Sequence, residues 1–158
     1  MRNAKRKCSL CMLLTCALLL VPMSQVLASD VPPAGSKSLS AILKAAETQD
    51  IGVIAKAEFD DGLWQLKAFK DSAWTKHYLD PKSGEEKRKG STDSQSLPPA
   101  NALPLSTIVQ AVEARGLGTI TEVEFSDSRW EVDIRKDGQR IRLELDPLTG
   151  ETKRERKK

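Results

Sequence analysis

Apolar residues recur at the spacing of one helical face in two places. Leu39, Ile42, Leu43 and Ala46 form the first set, and Leu105, Ile108, Val109 and Val112 repeat it 66 positions later. Each set predicts a helix, with Ser40 and Ser106 as expected N-caps and Gly52 and Gly118 just past the helix ends. The period then drops to two. Trp130, Val132 and Ile134 alternate with Arg129, Glu131, Asp133 and Arg135. Beyond Asp137-Gly138, Ile141, Leu143 and Leu145 alternate with Arg140, Arg142 and Glu144. A two-residue Asp-Gly turn between alternating runs predicts a hairpin.

That turn fixes the register. Ile134 should face Ile141, Val132 should face Leu143 and Trp130 should face Leu145, on the side that can receive the helix. The other side pairs Arg135 with Arg140, Asp133 with Arg142 and Glu131 with Glu144, a composition suited to water. Carried 66 positions back, the same register puts Trp64, Leu66 and Ala68 against Leu79, His77 and Thr75 on the inner side. The outer side then pairs Phe69 with Trp74, Lys67 with Lys76 and Gln65 with Tyr78. Three aromatics interleaved with lysines thus stand where the later stretch has Arg135, Arg140 and Glu144. Two roles are open to such a face: docking against the rest of the chain, or holding a partner. Phe69, Trp74, Tyr78, Lys67 and Lys76 are the candidate partner-binding residues.

The 66-residue shift aligns Leu39–Gly90 with Leu105–Arg156 without a gap, and about 20 of the 52 pairs are identical. The expected fold class is α+β. Two repeats, residues 38–90 and 105–158, would each pack one helix on a small antiparallel sheet of three strands, or of four if the charged ends "EEKRKG" and "KRERKK" add a short edge strand. Polar, Pro-containing linkers at 29–37 and 91–104 precede the repeats. "LDPKSGE" and "LDPLTGE" recur at equivalent places. Alternate positions after each Asp hold Lys82 and Gly84, or Leu148 and Gly150, which are no ligands for calcium, so the spacing predicts tight turns.

Composition matters mainly through the first 28 residues. Arg2, Lys5, Arg6 and Lys7, an apolar run from Cys8 to Val21 and "VLA" ahead of Ser29 have the layout of a secretory signal peptide, with cleavage expected between Ala28 and Ser29. Taking its four basic residues from the chain's 25 Lys and Arg leaves 21 against 22 Asp and Glu. The exported part is nearly neutral, which gives no electrostatic basis for nucleic-acid binding. Cys8, Cys11 and Cys16 all lie in the signal, so neither disulfides nor cysteine chemistry are expected after cleavage. No stable membrane insertion is expected once the signal is gone. His77 is the sole histidine, without a second histidine or a ligand-type spacing, and reads as structural. No carboxylate pair stands out as an acid–base couple. No catalytic residue, metal site or cofactor is therefore assigned.

At this point "ITEVEFSDSRWEVDIRKDGQRIRLELDPLTGE" resembles the PepSY domain, and "EFDDGLWQLKAFKD" followed by "LDPKSGE" is similar to it, which makes a tandem. Glu124, Trp130, Glu131, Val132, Asp137, Gly138, Asp146, Pro147, Gly150 and Glu151 carry the resemblance, whereas the first copy departs at Ser72 and in its aromatic outer face. The resemblance implies a non-enzymatic, exported protein of the bacterial envelope, periplasmic or secreted. Such a protein would bind a protein or peptide there, with a protease to restrain or a sensor kinase to modulate as candidate partners. The alternative is a small-solute or cation-binding protein.

Overall fold

Four tight turns fold most of the chain into hairpins. The computed structural model describes residues 31–157; the signal-peptide reading of residues 1–28 and its Ala28–Ser29 junction lie outside the described residues. The elements are α1 Leu39–Thr48, β1 Val53–Asp60, β2 Leu63–Lys70, β3 Ala73–Leu79, β4 Glu86–Ser91, α2 Leu105–Glu113, β5 Thr119–Ser126, β6 Arg129–Lys136, β7 Gln139–Leu145 and β8 Thr152–Lys157. Asp61-Gly62, Asp71-Ser72, Asp127-Ser128 and Asp137-Gly138 join successive strands with positive φ at both residues, the geometry whose twist matches the strands it connects. Ser72, at φ 65°, makes the turn that Gly138 makes later.

The pairings inside each hairpin are those the alternation predicts. Trp130, Val132 and Ile134 face Leu145, Leu143 and Ile141, and Trp64, Leu66 and Ala68 face Leu79, His77 and Thr75. The expectation of two small sheets is corrected. The described residues hold one eight-stranded antiparallel sheet, ordered β4-β3-β2-β1-β5-β6-β7-β8, with four strands from each half. The charged runs that follow the Asp-Pro turns do form edge strands β4 and β8, and every residue of both is exposed. Lysine and arginine along an edge discourage pairing with other chains.

The halves join across β1 and β5, where Lys56 pairs with Glu124, Ala57 with Val123 and Glu58 with Glu122. Ala57 and Val123 occupy equivalent places 66 residues apart, so the pairing is two-fold symmetric about them. Both are fully buried. α1 and α2 lie side by side over this seam and close a single core. Leu39, Ile42, Leu43 and Ala46, with Leu105, Ile108, Val109 and Val112, bury against Trp64, Leu66, Trp130, Val132, Ile134 and Leu143. Trp64 and Trp130 are each 1% exposed and meet Phe59 and Phe125 edge to face; among the described residues neither indole N–H has a hydrogen-bond acceptor.

The helix caps differ from those expected. α1 starts after Ser38, whose side chain accepts from the Ala41 N–H, and α2 starts after Pro104, which supplies no side-chain cap. Ser40 and Ser106 lie inside the first turns and serve the seam instead. The backbone N–H and hydroxyl of Ser106 both donate to the Glu47 carboxylate, at 3.0 and 2.5 Å. Those of Ser40 donate to Glu113. A glutamate in the last turn stands at the wrong end of its own helix dipole, but here each neutralises the N-terminus of the neighbouring helix. α2 thus takes its cap from the other half, and α1 adds Glu113 of the other half to its own Ser38 cap.

"LDPKSGE" and "LDPLTGE" are turns. The Asp80 side chain accepts from the Lys82 and Ser83 N–H groups and Asp146 does the same for Leu148 and Thr149, while Gly84 and Gly150 bond back to the Asp carbonyls with φ near 74°. Those backbone donors hold both carboxyls below the usual carboxylate range. Among the described residues no helix is long and apolar enough to cross a membrane.

Candidate functional site

With both helices on one face, the opposite face of the sheet carries no second layer of helix or strand among the described residues; only the linker reaches it, where the Thr92 N–H donates to the Trp74 carbonyl and Gln95 donates to Glu124 at 2.5 Å, and its side chains fall into rows running across the strands. In the second half the rows are charged and internally paired. Arg142 forks onto Asp133 through Nε and Nη2 at 2.8 and 2.7 Å and reaches Glu131 at 2.9 Å, and Arg140 also bonds Asp133. Arg129 and Arg156 each hold Glu144 at 2.7 Å, with Arg154 nearby. Burial alone would raise the Asp133 pKa, but hydrogen bonds and charge from Arg142 and Arg140 outweigh it and bring it from 3.8 to about 2. Burial works against Glu144 in the same way, and Arg129, Arg156 and Arg154 still hold it below the usual carboxylate range.

The first half departs from this at every row. Phe69, Trp74, Tyr78, Lys67 and Lys76 all stand on the uncovered face, half-buried, in the predicted register. Val53 of β1, 48% exposed, pairs with Phe69 and extends the end row to Val53–Phe69–Trp74. The Phe69 and Trp74 rings lie 5.3 Å apart. The next row is Lys56–Lys67–Lys76, in direct cross-strand register over β1, β2 and β3. The third is Gln65–Tyr78–Arg88, in which the Arg88 guanidinium stacks 3.8 Å above the Tyr78 ring.

Like charges directly opposite each other destabilise a sheet by roughly 0.2–1 kcal/mol per pair. Only one of the three lysines is compensated. Lys56 sits at the seam among Glu122 at 2.6 Å, Glu58 at 3.2 Å and Glu124 at 3.6 Å. Burial would lower its pKa, but these carboxylates drive it well above the usual lysine value, while Glu122, chiefly through burial, is raised. Lys76 bonds the Gln65 amide at 3.0 Å, and among the described residues Lys67, Lys76 and Arg88 have no carboxylate partner. The residues equivalent to Lys67 and Lys76 are Asp133 and Arg142, an attractive pair. The first half therefore presents an apolar row beside cations without a carboxylate partner, where each of the second half's Arg129, Arg140, Arg142, Arg154 and Arg156 has one.

Val53 and Arg88 escaped the sequence reading. Val53 needed the β1 register, which a bulge between Ile54 and Lys56 resets, and Arg88 needed β4 to be paired in register with Tyr78. His77, which the sequence reads as structural, is held from both ring nitrogens. Its Nδ1 lies 2.5 Å from Glu86 and its Nε2 2.9 Å from the Thr75 hydroxyl. Both partners stand on the helix side of the sheet, and His77 is 6% exposed. This chain of contacts ties β4 to β3.

Two open grooves of about 350 and 410 Å³ flank the seam at equivalent places. Pro98, Pro99, Glu47 and Trp130 line one, and Pro32, Pro33, Glu113 and Trp64 line the other. Their glutamates are those already bonded to Ser106 and Ser40. Among the described residues no group of three or more His, Cys, Asp or Glu is placed to hold a metal ion.

No curated protein matches the chain. Three solved structures resemble it. A candidate lipoprotein from Clostridium difficile aligns at 12% identity and a TM-score of 0.46, over 75% of this chain and 90% of that one. A DUF2874 family protein from Bacteroides uniformis aligns at 18% identity and a TM-score of 0.28, over 74% and 88%. A candidate periplasmic protein from Bacteroides eggerthii aligns at 16% identity and a TM-score of 0.27, over 80% and 88%. Residues 92–156, which span the second half from the linker to β8, match the PepSY_2 family model, described as the peptidase propeptide and YPEB domain.

Proposed function

We propose that the chain is an exported, non-catalytic binding protein built as two PepSY domains in tandem, which holds a polypeptide segment of another envelope protein on the uncovered face of its first half. The observation that carries this reading is the contrast between the halves. Each element of residues 39–91 has a counterpart 66 positions on, yet Phe69, Trp74 and Tyr78 occupy the places of Arg135, Arg140 and Glu144. Half-buried aromatics supply contact area, and an uncovered sheet face can receive an extended chain whose alternate side chains point at it. A protease to be restrained or a sensor to be modulated would offer such a segment.

The test exchanges the faces. Phe69→Arg, Trp74→Arg and Tyr78→Glu together give the first half the outer residues of the second. Wild type and triple variant are each panned against a displayed library of short peptides, and their melting temperatures are compared. Enrichment by the wild type that is lost in an equally stable variant supports the reading. Equal enrichment by both proteins, or none by either, overturns it.

A further inference from the structure

Resting on the reading that a polypeptide lies on this face, we infer that the segment is acidic and of a defined pattern: an apolar residue at one position and carboxylates two and four residues away. The first support is charge. Lys67 and Lys76 oppose each other in register without a carboxylate partner among the described residues, and Lys56, next in the row, already has three. A pair of like charges held side by side gains from an anion placed between them, and the equivalent pair in the second half carries its own anion in Asp133.

Access is the second support. Gly90 flanks Lys76 on β4, where the second half has Arg156 bonded to Glu144. A Cβ built at Gly90 would meet nothing within 4 Å, so the lysine row lies open toward the sheet edge. The third support is spacing. The Val53–Phe69–Trp74 row, the lysine row and the Tyr78–Arg88 row succeed one another every two residues along the strands, which is about 7 Å. An extended peptide running along the strands points residues i, i+2 and i+4 at the face with the same repeat. Its apolar side chain would meet Phe69 and Trp74, its first carboxylate Lys67 and Lys76, and its second Arg88.

The experiment is fluorescence anisotropy with labelled peptides of about nine residues carrying a Leu-Ser-Glu-Ser-Glu core. Peptides with serine or lysine at both glutamate positions, and vesicles of phosphatidylglycerol, serve as comparisons. The acidic peptide is expected to bind at least about tenfold tighter than the serine peptide, with the margin shrinking as salt rises. Lys67→Asp should abolish that margin and at the same time raise the melting temperature, because it recreates the attractive pair of the second half. Serine and acidic peptides binding alike would overturn the acidic pattern and leave the polypeptide reading standing. If no peptide of any charge bound, both would fall. Binding to vesicles but not to peptides would overturn the proposal in favour of an anionic membrane surface.

Discussion

Removing the carboxylate of Glu47 should destabilise the fold more than removing that of Glu113, although the two residues are equivalent and make equivalent contacts. Glu47 accepts two hydrogen bonds, from the Ser106 N–H and hydroxyl, and the N-cap residue of α2, Pro104, brings no side-chain cap of its own. Glu113 accepts the matching pair from Ser40, but Ser38 still caps α1 through the Ala41 N–H. Hydrogen bonds to a charged group contribute about 1.5–3 kcal/mol, and an N-cap about 1 kcal/mol. Glu47→Ala takes from α2 both its charged partner and its only cap, so about 2–3 kcal/mol is expected. Glu113→Ala should cost about 1–2 kcal/mol. For a domain of about 130 residues, 1 kcal/mol corresponds to roughly 4 °C in Tm, which separates the variants by several degrees. Thermal and urea denaturation of residues 29–158 would measure both. Equal losses, a reversed order, or losses under about 0.5 kcal/mol would show that the reciprocal caps do not hold the halves together.

Two further outcomes test the packing and the charge network. Gly52→Ala and Gly118→Ala should each cost at least roughly 2 kcal/mol in the same denaturation assay, since a Cβ would lie 2.4 Å from the Phe69 carbonyl or 2.5 Å from that of Arg135 at φ of 110° and 138°. Gly90→Ala, with open space around it, should change stability by no more than about 0.5 kcal/mol. Asp133 has a folded pKa of about 2 against an ordinary 3.8, and its side chain is 5% exposed. A depressed carboxylate stabilises the fold above its unfolded pKa and loses that contribution as pH falls through the folded value. The wild type should therefore exceed Asp133→Asn by about 2 kcal/mol near neutral pH, with the gap closing between about pH 4 and pH 2. A gap independent of pH would refute that assignment.

Local register was legible because it rests on local rules. Asp137-Gly138 and the alternation around it are enough to place Trp130 opposite Leu145, and the same reasoning reached Phe69 opposite Trp74 although Ser72 replaces the turn glycine. Long-range pairing was not legible, because nothing in "VIAKAEFD" or "TITEVEFS" marks these strands as partners. Glu58 and Glu122 stand opposite each other there, a repulsive pair made tolerable only by Lys56 beside them. The caps were misread for the same reason. Ser40 and Ser106 have the composition of N-caps, but their acceptors lie 73 and 59 residues away in the chain, and only the assembled seam reveals them.

The seam also explains where the halves could differ. The reciprocal caps require Ser and Glu at matching places in both helices. Substitution in one half at those positions breaks a contact that the other half depends on, so symmetry holds them alike. Away from the seam residues Lys56, Glu58, Glu122 and Glu124, the outer face has no such constraint, because its side chains meet neighbours within their own half. Divergence there need not disturb the core. In the second half the face is a network in which arginines and carboxylates pair. In the first half it carries aromatic surface and two opposed lysines. That arrangement costs a little stability in the free protein, and an anionic partner would recover it, so the departure from symmetry and the candidate site are the same feature.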